Sequence, residues 1–157
     1  MKVLRFRFVR ELAVTPRFAY EWYTDVVEDD TGRARFLRYR KILARGPDFV
    51  ELEEEAEFVG RRIRARTLLT KLPPDRWRVE ATATHGTATA EYHLEPAGAG
   101  CRLVIESEWR FTSWVRFFVP LFRKRLTREL GTEVDDFAAS VQKDFAEAAA
   151  KPPGPEA

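Results

Sequence analysis

The sequence predicts an α+β fold in which a curved antiparallel sheet of seven strands holds one long C-terminal helix. Between Phe36 and Phe111 apolar residues recur with a period of two, which is typical of half-buried strands. After Phe111 the period changes, and steps of three and four residues place one apolar stripe on a single helix face. The stripe consists of Phe118, Phe122, Leu126, Leu130, Val134, Phe137, Val141 and Phe145.

Local signals set the order of the elements. Residues 3–14 alternate well enough to form a first strand. Thr15 as N-cap and Pro16 in the first turn then predict a short helix that runs to about Val27. Five turn signals divide residues 36–111 into six further strands. These turns are Gly46-Pro47-Asp48, Val59-Gly60, Pro73-Pro74-Asp75, His85-Gly86 and Gly98-Ala99-Gly100.

Length and charge bound the domain organisation. A chain of 157 residues is expected to form one domain, here residues 1–150, with a disordered tail at residues 151–157 because that segment is rich in proline. The formal net charge of +2 is far from the strongly basic balance of a dedicated nucleic-acid binder. We therefore expect no nucleic-acid partner.

Cysteine content and the first residues bear on the compartment. Cys101 is the only cysteine, so no disulfide can form within the chain. Residues 1–14 are interrupted by Arg5, Arg7 and Arg10, which does not fit a signal peptide. Apolar runs stay below the roughly 18 residues that a spanning helix needs. The sequence favours a cytoplasmic protein.

One hairpin can be registered residue by residue. If Val59-Gly60 is a two-residue turn, then Glu57, Glu55 and Glu53 face Arg62, Arg64 and Arg66 on one face of the sheet. The opposite face of this hairpin is apolar except for Glu54. A carboxylate facing an apolar interior is costly unless it meets a cation, a proton or water. Glu54 is therefore the sharpest candidate for a polar anchor or an acid/base group, and Arg10 is an arginine that could pair with it.

A second hairpin is predicted around His85-Gly86. This turn would pair Ala83 with Ala88, Ala81 with Ala90, and Val79 with Tyr92. The small side chains on this face indicate either a close approach of the helix or space left for a ligand. The same register places Glu80 opposite Glu91 on the outer face, which is unfavourable unless a neighbouring strand supplies an arginine.

Two segments resemble the helix-grip superfamily (SRPBCC), which includes START-related lipid-transfer domains, pollen-allergen proteins and bacterial polyketide cyclase/dehydrase-type proteins. Residues 15–25, TPRFAYEWYTD, resemble the first helix of that family, and residues 92–103, YHLEPAGAGCRL, resemble one of its hairpins. Together with the element order, the resemblance covers residues 2–149. It implies a cavity between sheet and helix. Whether a second short helix lies near residues 28–36 is left open.

The expected binding residues lie on the inner faces of the strands and on the first half of the helix stripe. Polar tips among apolar walls suit a cavity that orients an amphipathic ligand. We expect the second half of the stripe, including Phe137 and Val141, to be solid core. The predicted ligand-binding set is Glu54, Leu52, Thr67, Ala81, Ala90, Tyr92, Ser107, Trp109, Phe118, Phe122 and Leu126.

Signatures of enzymes and of metal sites are missing from the sequence. The two histidines, His85 and His93, are placed in a turn and on the outer face, and with one cysteine they lack the spacing of metal ligands. No phosphate-binding glycine loop, nucleophile elbow or dinucleotide fingerprint is present. We expect no metal and no cofactor, with Glu54 as the one weak catalytic candidate.

The segment Trp114–Arg125 is apolar nearly all round and then strongly basic. Aromatic side chains beside cations are typical of helices that contact a membrane surface. The alternative is that Phe118 and Phe122 cap the cavity, with Pro120 in the first helical turn and the cations solvated. Both hold if the domain loads a lipid at a membrane.

These observations predict binding or transport of a hydrophobic or amphipathic small molecule, such as a lipid, an isoprenoid quinone or a polyketide-like compound. One alternative is a cofactor-independent enzyme of the cyclase or dehydratase type that uses Glu54 as acid or base. Another is a co-chaperone or protein-partner module, which would need an exposed apolar patch, and in the sequence only the Trp114–Phe118 region offers one.

Overall fold

The computed structural model describes residues 1–151 and Gly154. The expected disordered tail therefore lies almost entirely outside the described residues. Seven antiparallel strands form one sheet: β1 (Lys2–Leu12), β2 (Leu37–Arg45), β3 (Phe49–Phe58), β4 (Arg61–Leu72), β5 (Arg76–Ala83), β6 (Gly86–Ala97) and β7 (Gly100–Phe111). The strand order is β1-β7-β6-β5-β4-β3-β2, so β1 and β2 form the two edges. The predicted fold class is confirmed.

Two α-helices accompany the sheet. Helix α1 (Pro16–Thr24) begins as predicted: the Thr15 hydroxyl accepts a hydrogen bond from the Phe18 N–H at 3.3 Å. A short 3-10 helix (Glu28–Gly32) then leads to β2, which resolves the question left open by the sequence. A second 3-10 helix (Trp114–Phe117) precedes α2 (Val119–Ala150), which has Pro120 in its first turn. None of the helices in the described chain is both long and apolar enough to cross a membrane.

The register predicted for the first hairpin is confirmed. Glu57, Glu55 and Glu53 pair with Arg62, Arg64 and Arg66. Both turn residues have positive φ, 56° at Val59 and 69° at Gly60, as a tight two-residue hairpin turn requires. The turn also contacts α2, because the Val59 N–H donates to Glu129 Oε2 at 2.6 Å.

The register predicted for the second hairpin is wrong by two residues. Ala83 pairs with Gly86, Ala81 with Ala88, and Val79 with Ala90. Gly86 belongs to the strand rather than to the turn: a Cβ on it would lie 2.1 Å from the Arg110 carbonyl oxygen of β7. Because any side chain would collide with that carbonyl, this position requires glycine. A shift of two keeps every side chain on its predicted face.

The predicted clash between Glu80 and Glu91 is also absent from the second hairpin. Glu80 pairs with Thr89 instead of Glu91. Arg78 lies between the two carboxylates, 3.3 Å from Glu80 and 3.9 Å from Glu91. One arginine of the same strand therefore supplies the positive charge that this outer face needs.

The interior contains two apolar clusters along α2. One surrounds the first half of the helix, with Leu126 and Leu130 against Leu4 and Phe58. The other surrounds the second half, where Val141 clusters with Val14 and with buried strand residues such as Leu94 and Leu103. Both clusters pack α2 against the sheet, and the apolar residues that line the cavity described below belong mostly to the second cluster.

Candidate functional site

A cavity of about 220 Å³ lies between the middle of α2, helix α1 and the inner face of the sheet. Its helix side is formed by Glu133, Val134 and Phe137. The cavity was expected beside the first half of the stripe, which ends at Leu130. It extends to Phe137, which is seven positions, or about two helical turns, further along α2. The remaining lining residues are Trp22, Tyr23, Val26, Asp30, Arg40, Leu52, Glu54, Thr67, Leu69, Trp77, Val79, Tyr92 and Ile105.

Aromatic side chains form the broad wall of the cavity. Trp77 is only 2% exposed, and its ring stacks on Tyr92 with centroids 5.0 Å apart and on Tyr23 with centroids 5.3 Å apart. Phe137 meets Trp22 edge to face at 6.2 Å. Because these rings pack on one another, their faces are held in place before any ligand arrives.

A buried ion network forms the polar end. Arg40 of β2 donates to Glu54 Oε2 of β3 through Nε at 2.9 Å and Nη2 at 2.7 Å. Its Nη1 donates to Asp30 of the 3-10 helix. Arg33 holds the other oxygen of Asp30 at 2.8 Å. The side chains of Asp30, Arg40 and Glu54 are 8, 12 and 16% exposed, so this network is shielded from solvent.

Glu133 has a different environment from Glu54. Burial, followed by the negative charges of Glu54 and Asp136, raises the pKa of the Glu133 carboxyl to about 7 against the opposing effect of Arg40. Within the described residues it has no hydrogen bond or ion pair. A carboxyl group with a pKa near neutrality can bind or release a proton at physiological pH.

Two phenols lie beside these carboxyl groups. The hydroxyl of Tyr23 is buried and has no hydrogen-bond partner among the residues described. Burial raises the pKa of Tyr92, and the negative charges of Glu133 and Glu54 raise it further. Both tyrosines therefore remain neutral donors. A buried hydroxyl without a partner is costly, and a ligand can remove that cost.

Four predicted site residues line this cavity: Glu54, Leu52, Thr67 and Tyr92. Glu54 faces the interior as expected and is paired with an arginine. The partner is Arg40, whereas Arg10 instead pairs with Asp135 at 2.5 Å. The cavity is therefore less apolar than predicted at the end where the ion network lies.

The other predicted site residues lie elsewhere. Ala81 is half-buried on β5 and Ala90 packs against the second core cluster, but neither lines the cavity. Leu126, Phe122 and Trp109 pack in the first cluster. The Trp109 indole N–H donates to the Ser107 hydroxyl at 3.0 Å, and Phe118 is 47% exposed. The geometry of this cavity gives no support to these seven ligand contacts, which stay predictions.

The sequence reasoning missed Glu133, Tyr23, Asp30 and Arg40. Glu133 is three positions after Leu130 and four before Phe137, so a helical projection places it at the border of the apolar stripe. Arg40 points inward because β2 has register shifts at Leu37/Tyr39 and at Ile42/Ala44. Such bulges change which side chains face inward and leave no clear mark on the sequence.

A surface depression of about 240 Å³ lies near Gly60 and the first half of α2. Its charged groups are already paired: Arg35 with Asp136 at 2.9 Å, and Arg125 with Glu129 at 3.2 Å. The cavity beside Glu133 is the better candidate because it retains polar groups without partners.

The start of α2 carries a separate surface feature, the basic aromatic patch. Its exposed apolar members are Trp114, Phe117, Phe118 and Leu121, with exposed fractions of 59, 68, 47 and 82%. Trp114 contacts Phe118 edge to face at 5.6 Å. Phe118 is half-exposed and does not line the cavity beside Glu133, so its role as a cap stays a prediction.

Comparison with solved structures identifies the fold. The Zhui aromatase/cyclase from Streptomyces sp. R1128 superposes with a TM-score of 0.81 at 11% identity, covering 96% of this chain and 100% of that one. TTHA0849 from Thermus thermophilus superposes with a TM-score of 0.76 at 17% sequence identity, covering 94% of this chain and 100% of that one. A START superfamily protein from Mycobacterium smegmatis has a TM-score of 0.69 at 14% sequence identity, covering 92% of this chain and 98% of that one.

No protein-family model and no curated protein matches the sequence. At these identities the structural likenesses show the fold and not the activity. The chain has the helix-grip fold, and the predicted resemblance is confirmed at that level.

Proposed function

We propose that this helix-grip protein binds a small amphipathic molecule in the cavity beside Glu133. The observation that carries the proposal is the pairing of a fixed aromatic wall with polar groups that have no partners. The stacked rings of Trp77 and Tyr92 line the cavity as an apolar wall, while the Tyr23 hydroxyl and the Glu133 carboxyl have no hydrogen-bond partner among the described residues. Ligand pockets typically combine an apolar lining with a few such polar groups.

The size of the cavity narrows the ligand class. A cavity of about 150 Å³ is enough to hold benzene. The cavity of about 220 Å³ therefore suits a body of one or two rings better than a whole lipid or a long polyketide chain. Of the ligand types expected from the sequence, a quinone head group or one cyclised end of a polyketide-like compound fits best. START-like and aromatase/cyclase neighbours favour a small-molecule ligand for this fold.

The test measures the binding of 2-naphthylmethanol, a neutral two-ring alcohol, by isothermal titration calorimetry. Val134→Phe fills the cavity from α2 and should weaken binding by at least about tenfold, because the added ring occupies the ligand's space. Ala139→Phe, at an exposed position of the same helix, is the matched control and should leave the affinity unchanged. Equal affinity in the wild type and Val134→Phe would place the binding site elsewhere.

A second candidate function is proton transfer. Glu133 has a pKa of about 7, which favours a general base at neutral pH. Glu133 would take a proton from the carbon next to a ketone, and the resulting enolate oxygen would accept a hydrogen bond from Tyr23 or Tyr92. Exchange of the α-protons of 2-tetralone in heavy water tests this step. Glu133→Gln should slow that exchange by about 10²-fold or more; an unchanged rate would exclude Glu133 as the base.

A further inference from the structure

The charged groups around the cavity do not balance. Three acidic residues line it, Asp30, Glu54 and Glu133, against one basic residue, Arg40. Arg33 lies outside the lining but holds Asp30 at 2.8 Å. The two arginines therefore neutralise Asp30 and Glu54, and Glu133 is left without a cation.

Among the described residues, Arg40 is the cation whose charge acts on Glu133, but it forms no ion pair with it. Arg40 is already divided between Asp30 and Glu54. Asp136, one turn away on α2, is itself acidic and is held by Arg35 at 2.9 Å. The other polar groups facing the cavity near Glu133 are the phenols of Tyr23 and Tyr92 and the Thr67 hydroxyl, and neither histidine lines the cavity.

The aromatic lining is suited to the same kind of ligand. Five aromatic side chains line one space, Trp22, Tyr23, Tyr92, Phe137 and Trp77, the last with its ring stacked on Tyr23 and Tyr92. Ring faces attract cations, and cages of such rings next to carboxylates recognise ammonium groups. The two arginines do not serve as this cation, because their guanidinium groups are paired with carboxylates. That of Arg33 also lies over the Trp22 ring, 4.9 Å from its centroid.

We propose that the ligand is an amine: a one- or two-ring body with a protonated amino group that pairs with Glu133 within the aromatic wall. This inference rests on the proposed small-molecule binding function. It narrows the ligand to amines, because an alcohol or a ketone of the same shape brings no positive charge to pair with the Glu133 carboxylate. A carboxylate ligand is the least suited, since it adds a negative charge beside Glu133 and Glu54.

Binding of an amine is linked to the ionisation of Glu133. The ammonium group favours the charged carboxylate, so binding releases the proton that burial holds on Glu133. Affinity for an amine should therefore rise with pH through neutrality for as long as the amine stays protonated. Affinity for a neutral alcohol of the same shape should not rise.

The experiment compares 2-naphthylmethylamine with 2-naphthylmethanol, which differ in one heavy atom. At about pH 8 the amine should bind the wild type at least about tenfold more tightly, and at about pH 5.5 this preference should fall below about threefold. Glu133→Gln should remove the preference at both pH values while alcohol binding persists. Glu147→Gln, an exposed glutamate of the same helix, is the matched control and should behave as wild type.

The outcomes separate the two proposals. Equal binding of both probes, or tighter binding of the alcohol at about pH 8, would overturn the amine inference and leave small-molecule binding in place. An amine preference that survives in Glu133→Gln would also overturn it. Absence of binding by either probe would overturn the proposed function and this inference together.

The basic aromatic patch carries a second, independent inference. Residues 109–128 include six basic residues and no acidic ones. Arg116, Arg123, Lys124 and Arg128 are exposed and form no ion pair within the described part of the chain. We infer that this patch docks on an anionic lipid surface, with Phe117 and Leu121 entering the interface and these cations facing the head groups. Exposed rings and aliphatic side chains flanked by cations are the physical basis of such contacts.

Flotation with phosphatidylcholine vesicles, with and without about one third phosphatidylserine, tests this docking. Only the anionic vesicles should bind the protein, and Phe117→Ser with Leu121→Ser should weaken binding by at least about tenfold. Lys124→Gln should weaken it about fivefold, whereas Leu72→Ser, an exposed leucine at 48% on β4, is the control. Equal binding to neutral vesicles would overturn the inference, as would self-association that Leu121→Ser abolishes without any vesicle binding.

Discussion

The guanidinium of Arg40 lies 2.7 Å from Oε2 of Glu54, directly across the β2–β3 pair. The same guanidinium also binds Asp30, so a single buried cation connects two strands to the 3-10 helix that precedes them. Charges this well shielded depend on one another, because each would be costly to bury alone. The network therefore fixes the polar end of the cavity.

Removing the cation alone should be strongly destabilising. We expect Arg40→Met to lower the free energy of unfolding by ~3–5 kcal/mol, since Asp30 and Glu54 would stay buried with less compensation. Neutralising all three groups, as Asp30→Asn with Arg40→Met and Glu54→Gln, should recover most of that loss. Urea denaturation measures both. A triple variant no more stable than Arg40→Met would show that the network is not a unit.

Glu133 should make stability depend on pH in the opposite sense to a paired carboxylate. Its folded pKa of about 7 is above the ~4.3 of an unfolded glutamate, so the folded state holds the proton more tightly. Stability is therefore lost as pH rises from about 4 to about 7, and the loss levels off above that range. Because Gln cannot ionise, Glu133→Gln should avoid the loss.

Denaturation curves at about pH 4 and about pH 8 provide the measurement. Glu133→Gln should change the free energy of unfolding little at the lower pH. At the higher pH it should stabilise the fold by up to roughly 3 kcal/mol. Glu147→Gln serves as the control for an exposed glutamate on α2. The same effect of Glu133→Gln at both pH values would argue that its carboxyl is solvated.

Gly86 tests the close contact between β6 and β7. A Cβ there would lie 2.1 Å from the Arg110 carbonyl oxygen, so Gly86→Ala should push the strands apart and cost ~1–3 kcal/mol. Gly32→Ala is the matched control because nothing lies within 4 Å of its added methyl group. Thermal melts of the two variants give the comparison, and equal melting temperatures would refute the contact.

Phe137 tests the position of the cavity. The sequence places it in solid core, where truncation costs ~3–5 kcal/mol. In the structure its ring borders the cavity and contacts Trp22 at 6.2 Å, so we expect Phe137→Ala to cost about 3 kcal/mol and to enlarge the space for ligand. Binding of an anthracene-sized alcohol should then improve relative to 2-naphthylmethanol. A weaker affinity for the larger probe would show that Phe137 does not limit the cavity.

The sequence predicts the features that depend on local spacing. The Val59-Gly60 turn and its charge pairs follow from residues that are neighbours along the chain, and the helix stripe follows from its own period. The register at Gly86 could not be predicted in the same way, because it depends on a carbonyl of β7. For the same reason the sequence did not show that Arg40, turned inward by bulges in β2, would reach Glu54.

The site was predicted in part. Glu54 and Tyr92 stand out because they interrupt an apolar face, and both line the cavity. Glu133 interrupts nothing so clearly, since a charged residue at the border of a helix stripe is ordinary in a sequence. Glu133 is an interior group because α1, with Trp22 and Tyr23, and the inner face of the sheet enclose the same cavity as this part of α2.

Strand β1 has a consequence for how the chain is made. It pairs with β7 over its whole length, from Lys2 with Phe111 to Leu12 with Cys101. At typical translation rates its partner emerges about 5–20 s later, so β1 waits without a neighbour while the other strands form hairpins. An unpaired strand is prone to aggregate, and cations on one face oppose that. We therefore expect Arg5 and Arg7, which pair with Glu108 and Glu106 in the finished sheet, to oppose aggregation of the nascent chain before those partners emerge.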